Sequence, residues 1–328
     1  MPKKVEISHR TIVFTVFFLI FLCFLWQIKQ IIIGLFMALI LMAAINPAID
    51  KMEKMKIPRV LGIILAYILI LVLVGVIIAG VIPPLVDQTS TLIARAPQFI
   101  EDLGIPSVDP RIIESQIQQL GSIPANLVKI SVEILANLVA IAALLVITFY
   151  LLLERKNLNR YLHILFGGDG ERKAERFIDE MEKKIGSWVR AQLTSMVIIG
   201  MLSYFGLRLL GIDFALPLAL LAGLFEIVPN IGPVISSIPA ILAGLAISPL
   251  MALAVAALFF LIQQIESSFI YPQIVVREVG VNPLITILSL AVGFKLSGIL
   301  GAILAVPFVL LIQVIASEIF ASKRFKKI

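Results

Sequence analysis

A chain of 328 residues that is 60% hydrophobic and only 15% charged, with a mean hydropathy of +1.07, is not a soluble domain, in which about a quarter of residues carry charge. Its net charge of +6 is read as basic flanks of membrane spans rather than a nucleic-acid surface, so no nucleic-acid partner is expected. One cysteine, Cys23, and two distant histidines, His9 and His163, exclude an intrachain disulfide and argue against a zinc or copper site, and neither metal nor cofactor is expected.

Residues 1–82 are read as three spans serving as scaffold. The first, 11–26, follows Lys3, Lys4 and Arg10 and lacks a small-residue cleavage site, so it is expected to stay as a helix rather than act as a signal peptide. The second covers 31–45 and is expected to end at Asn46-Pro47. A short basic loop with Lys51, Lys54, Lys56 and Arg59 leads to the third, 60–82, which Pro83-Pro84 is expected to close. Residues 83–130 are net acidic and are read as an external cap, which Pro97, Pro106, Pro110 and Pro124 divide into short helices. The fourth span is 131–153. In the cytoplasmic segment 154–190, Ala174, Phe177, Ile178, Met181, Ile185, Trp188 and Val189 recur at helical spacing, which predicts an amphipathic helix on the inner membrane face or packed on the bundle.

Residues 191–328 are read as the transport core: a fifth span (191–210), a broken run (214–248), a span (249–270) and a second broken run (283–320). In the first broken run Glu226 interrupts an apolar stretch, at a cost of roughly 2.5–3.5 kcal/mol at a bilayer centre. Pro229, Gly232 and Pro233 follow within a few residues and break the helix. Each half extends roughly 21–25 Å as helix, short of the ~30 Å hydrocarbon core, which predicts a re-entrant hairpin. The second run is interrupted around Lys295 and Gly298, with Gly301 next and a bend expected at Pro307. With both termini placed in the cytoplasm, every basic cluster falls on one face. The fold class is therefore all-α, a polytopic membrane protein with about eight membrane-embedded segments. Its two broken helices enter from opposite sides as a weak inverted repeat, a recurrent transporter design.

Glu226 and Glu266 are the candidate groups for binding and releasing a proton or cation, since a desolvated carboxyl can carry a proton through a transport cycle. The alternatives are a structural acid capping the second half-helix for Glu226 and an interfacial acid for Glu266. Gln263 and its neighbour Gln264 offer neutral donors and acceptors to a polyhydroxylated solute, or join helices. Asn230 could touch the solute or simply turn the chain. Lys295 could pair with either acid or attract an anion, or snorkel to the interface. Pro229, Gly232, Pro233, Gly298, Gly301 and Pro307 are expected to shape backbone. No phosphate loop or nucleophile elbow occurs, so the chain is read as no enzyme and as independent of ATP. Two transport readings follow: a secondary transporter of a small polar organic solute, proton-coupled through Glu226, and a monovalent-cation/proton antiporter using the same acids. A third is a non-transporting membrane scaffold or channel. Besides membrane lipids, the partners would be that solute and/or H+, Na+ or Li+.

The ordered motifs Glu226-Ile-Val-Pro229-Asn-Ile-Gly232-Pro233, Gln263-Gln-Ile-Glu266 with Tyr271-Pro272 and Val279-Gly280-Val-Asn-Pro283, and Gly298-Ile-Leu-Gly301 with Ala305-Val306-Pro307 resemble those of the autoinducer-2 exporter family. The resemblance covers nearly the whole chain, Asn46-Pro47 and Pro83-Pro84 included. It implies eight membrane-embedded segments, a homo-oligomer with a pentamer expected, and transport of an autoinducer-2-like signal or exchange of sodium or lithium for protons. Ser267-Ser268 stands where that family commonly has Gly-Asn, Arg277 where Lys is common and Asn282 where His is common.

Overall fold

The computed structural model describes residues 9–102, 129, 136–229, 231–276, 280 and 282–321. They are helical throughout, with no strand among them. Seven of the helices are long and apolar enough to cross a membrane.

α1 (His9–Gln27) exposes apolar side chains on all sides, Phe14, Phe17 and Trp26 included, as a helix surrounded by lipid does. α2 (Lys29–Lys54) corrects one expectation, because it runs straight through Asn46-Pro47. Proline deprives the carbonyl four residues back, that of Ala43, of its helical donor. A Cβ on Gly186 of a neighbouring helix would come within 2.6 Å of that oxygen, so the glycine lets the two backbones meet there. Tertiary packing thus holds the helix past its proline, and Lys51 and Lys54 ride on its last turn rather than in a loop.

α3 (Arg59–Asp102) corrects two more. It continues through Pro83-Pro84 and through Pro97. The paired prolines forgo two ladder bonds, yet Val81 just before them is buried in the main core with Leu218 and Ile199. Residues 83–102 of the expected cap therefore prolong the third helix; residues 103–128 and 130 lie outside the described ones. α4 (Leu138–Glu154) packs with α2 and α3 around Met42, Ile49, Ile63 and Leu152, and Tyr67 donates to the Leu145 carbonyl at 2.8 Å. A 3₁₀ turn, Arg155–Asn157, leads into the short α5 (Leu158–Phe166).

α6 (Gly168–Leu209) joins the amphipathic segment and the fifth span into one helix of 42 residues, about 63 Å long at 1.5 Å per residue. The amphipathic part is packed on the bundle: Ile185 and Trp188 are buried, and Trp188 and Ala191 meet Val306 and Leu310. Helices α7 (Ala215–Phe225) and α8 (Gly232–Leu245) are the halves of the first broken run. They share one core, in which Leu218 and Ala222 of α7 lie with Ala240 of α8 and Val255 and Phe259 of α9 (Pro249–Ile265). Ser248 caps α9 by accepting from the Met251 N–H at 3.1 Å, with Pro249 in the first position.

The chain then winds as a π-helical segment, Glu266–Val276. It enters α10 (Pro283–Ala321) at Asn282, whose side chain accepts from the Leu284 N–H at 2.9 Å. α10 is two helices in space. Ser297 and Gly298 leave helical geometry, Gly298 at φ +61°, where glycine meets no Cβ penalty. A Cβ on Gly293 would overlap the carbonyl of Gly301. Residues eight apart on a straight helix would be about 12 Å apart, so the chain has folded back on itself. Pro307, where a bend was expected, sits buried within the returning helix, and the non-helical residues inside α10 are Ser297 and Gly298.

Candidate functional site: a buried carboxyl pair between two chain reversals

Glu226 closes α7, donating its N–H to Ala222 O at 3.2 Å. Beyond it the turn is held by Val228 N–H to Phe225 O (3.1 Å) and Gly232 N–H to Val228 O (2.9 Å). A Cβ at Gly232 would overlap the Phe225 carbonyl, so this reversal admits only glycine there. Pro229 and Pro233 are buried beside it. Asn230 lies outside the described residues. The turn also reaches the second reversal, since Val228 packs on Leu290, Ala302 and Ala305 of α10.

Glu266 is the first residue of the π-helical segment. Each of the two glutamates is only 1% exposed, and their carboxyl groups lie near one another. No lysine or arginine pairs with either among the described residues. Ionised carboxylates are acceptors only, so two of them can hydrogen-bond to each other only by sharing a proton. Gln263 stands one turn before Glu266 and donates Nε2 to its Oε2 at 3.1 Å. The wide turn of the π-helix frees carbonyls, and the Ser267 hydroxyl donates to those of Gln263 (2.9 Å) and Gln264 (3.3 Å).

Several groups that the sequence reading did not single out as site residues lie in the same region. Gln192, buried on α6, donates Nε2 to the backbone carbonyl of Glu226. Trp188 lies one turn earlier on the same helix. Tyr271 donates to Thr286 Oγ1 at 3.1 Å, and Thr286 to the Asn282 carbonyl at 3.3 Å, tying the π-helical segment to the start of α10. Four buried polar atoms on these elements have no hydrogen-bond partner among the described residues: Trp188 Nε1, Gln192 Oε1, Gln263 Oε1 and Glu226 Oε2. Buried polar atoms are nearly always satisfied. A polar amide inside an apolar span was the legible signal for Gln192; Trp188 was absorbed into the amphipathic pattern.

Lys295 sits elsewhere. It is exposed near the second reversal and pairs with neither carboxyl. Gly298 and Gly301 form that reversal itself. The structure thus brings together Glu226, Glu266, Gln263, Pro229, Gly232 and Pro233. No group of three or more His, Cys, Asp or Glu suited to a metal occurs among the described residues.

A multi-pass helical bundle whose interrupted helices flank paired intramembrane carboxyls has the architecture of a membrane transport protein. The particular kind follows from comparison: the chain belongs to the AI-2E transporter family, whose model (AI-2E family transporter) matches residues 14–321. It is similar to YrrI of Bacillus subtilis (strain 168), which carries a transport-protein name, with 25% identity over 324 residues and 92% of both chains covered. YueF of the same organism, named in the same way, is 26% identical over 311 residues, covering 88% of this chain and 84% of YueF. The AI-2 transport protein TqsA of Escherichia coli (strain K12) is 26% identical over 313 residues, covering 90% of this chain and 88% of TqsA. The role is membrane transport.

Proposed function

We propose that this chain is a secondary transporter that moves a small polar organic solute, of the class of the autoinducer-2-like signals, and couples it to protons through Glu226 and Glu266. The observation that carries this reading is the carboxyl pair: two acids near one another, almost wholly buried, with no cation paired to either among the described residues. Such an arrangement is costly. It is also chemically apt, because binding or release of the shared proton changes the charge of the site by one and so changes which solute state it holds. Trp188 Nε1 offers the solute a donor, while Gln192 Oε1 and Gln263 Oε1 offer acceptors. The name of TqsA supports an autoinducer-2-like solute.

In this reading both chain reversals are re-entrant hairpins and both termini are cytoplasmic. The chain works as a homo-oligomer, for which the exposed apolar faces of α1 and α3 are available alongside lipid. A pentamer fits the family resemblance.

A second reading, sodium or lithium exchange for protons, is favoured by the three orphaned oxygens on three different elements, since hard cations take oxygen ligands. Proteoliposomes of the purified protein under an imposed pH gradient separate the two. Gradient-driven uptake of a small hydroxylated solute that is indifferent to sodium and lithium supports the first. Collapse of the gradient only when sodium or lithium is present supports the second and removes the first. Neither activity would remove both and leave the scaffold reading.

A further inference from the structure

α5 does not lie along the membrane. It runs back beside the first half of α6, as the pairs between the two show. Arg155, in the turn before α5, meets Asp179 and Glu182; Asn159 donates to Glu175 at 2.6 Å; His163 Nδ1 lies 2.7 Å from Glu171 Oε2. Residue numbers rise on one helix as they fall on the other, which is an antiparallel helical hairpin. α6 carries no charged residue between Arg190 and Arg208, and that stretch is its span. Glu171 lies 19 residues before Arg190, about 29 Å along the helix at 1.5 Å per residue. The far end of α5 therefore stands well outside the hydrocarbon.

That end is apolar. Leu162 is buried, but Tyr161, Ile164, Leu165 and Phe166 are exposed, Ile164 by 70% and Leu165 by 73%. Exposed apolar side chains on α1 have lipid to cover them. These stand in water, where a contiguous apolar patch marks an interaction surface. Two observations bear on what covers it. The patch continues the outward side of α4: Tyr150, Glu154, Asn157, Tyr161 and Ile164 are all exposed and follow at spacings of three and four residues. Asn157 Nδ2 and the Tyr161 hydroxyl both donate to Glu154 Oε2 at 3.1 Å across the joining turn, which keeps that side aligned. One face thus runs from the bilayer into water, and a soluble protein reaches only its outer part. The hairpin 158–187 also holds six basic and six acidic residues. It offers no net charge to an anionic bilayer or to a strongly charged partner, and it does not repel its like.

We propose that this face of α4 and α5 is covered by a second copy of the chain. A second copy leaves the same membrane at the same point, so it alone meets both the lipid-depth part of the face and the part in water. Ile164 and Leu165 are the centre of the contact. The contact rests on the homo-oligomer reading and gives it a place outside the membrane.

The test uses the full purified chain in detergent, with Cys23→Ser removing the native thiol. Mass photometry gives the oligomeric state across a dilution series. The maleimide labelling rate of Leu165→Cys is compared with that of Lys173→Cys, an exposed position on α6 of the same hairpin. Leu165→Cys is expected to label at least tenfold more slowly than Lys173→Cys in the oligomer, and at an equal rate after dilution to the monomer. Ile164→Asp should raise the dissociation constant at least tenfold, with thermal stability unchanged because the position is exposed. Equal labelling in the oligomer, or an unchanged dissociation constant in Ile164→Asp, overturns the proposal and leaves the homo-oligomer reading standing. Protection that persists in the monomer assigns the cover to something other than a second copy and also overturns it. A monomer at every concentration removes both.

Discussion

This chain handles its acids in two opposite ways. At the end of the bundle formed by α2 to α6, every carboxylate of the cluster has a cation: Asp50 and Glu53 with Arg59, Glu53 with Lys156, Asp179 and Glu182 with Arg155. Between α7 and the π-helical segment, Glu226 and Glu266 lie near each other, almost wholly buried, without one among the described residues. The first arrangement joins segments far apart in sequence, since Arg155 and Glu182 are 27 residues apart and Lys156 and Glu53 are 103 apart. It holds the scaffold together. The second leaves two desolvated acids without a paired cation among the described residues, an arrangement that costs folding energy. The difference teaches that an acid is read by its partners rather than by its depth: acids paired with cations are architecture, and an acid beside an acid is the candidate for the proposed proton coupling.

The comparison can be broken at several points. The largest effect is expected from Glu226→Gln or Glu266→Gln, which keep shape and remove the shared proton. Proton-coupled flux in proteoliposomes falls by about two orders of magnitude, the order of a proton-transferring group, while size-exclusion elution and thermal stability hold. Next comes Gly293→Val, which forces a side chain into the Gly301 carbonyl. Its cost exceeds about 3 kcal/mol, visible as loss of folded protein in detergent rather than as a slow transporter. Arg59→Ala is expected to lower stability by about 2–3 kcal/mol. That is at or below the buried-pair range, because Asp50 and Glu53 remain partly in water. Transport per folded molecule should be unchanged. Gln192→Leu removes one hydrogen bond to the Glu226 carbonyl, worth about 1 kcal/mol. Flux should fall roughly fivefold, with the melting temperature barely moved. The smallest effect belongs to Lys184→Ala, which breaks the exposed pair with Glu180 and should shift stability by less than about 0.5 kcal/mol.

Much of this was legible in the sequence because apolar runs and breakers are local signals. Glu226, the Pro-Gly-Pro cluster and the interruption near Gly298 announce themselves in stretches that are otherwise apolar. What escaped depends on contacts between distant segments. Pro47, Pro83, Pro84 and Pro97 read as helix ends, yet α2 and α3 continue through them. At Pro47 the freed Ala43 carbonyl meets Gly186, and no local pattern carries that meeting. Arg59 and Arg155 read as flanks that set orientation; only the fold shows them clamping Asn46, Glu182 and Asp179. Gln192 was hidden in a run counted for length, although an amide there is as conspicuous as Gln263 once the Glu226 carbonyl is seen against it.

One measurement tests the central claim most directly: the dissipation rate of an imposed pH gradient, per reconstituted molecule, in wild type, Glu226→Gln and Arg59→Ala. The account predicts that Glu226→Gln reconstitutes at wild-type yield and carries about a hundredth of the coupled flux. Arg59→Ala should reconstitute poorly, with each surviving molecule working at the wild-type rate. Wild-type flux in Glu226→Gln, at any yield, would contradict it.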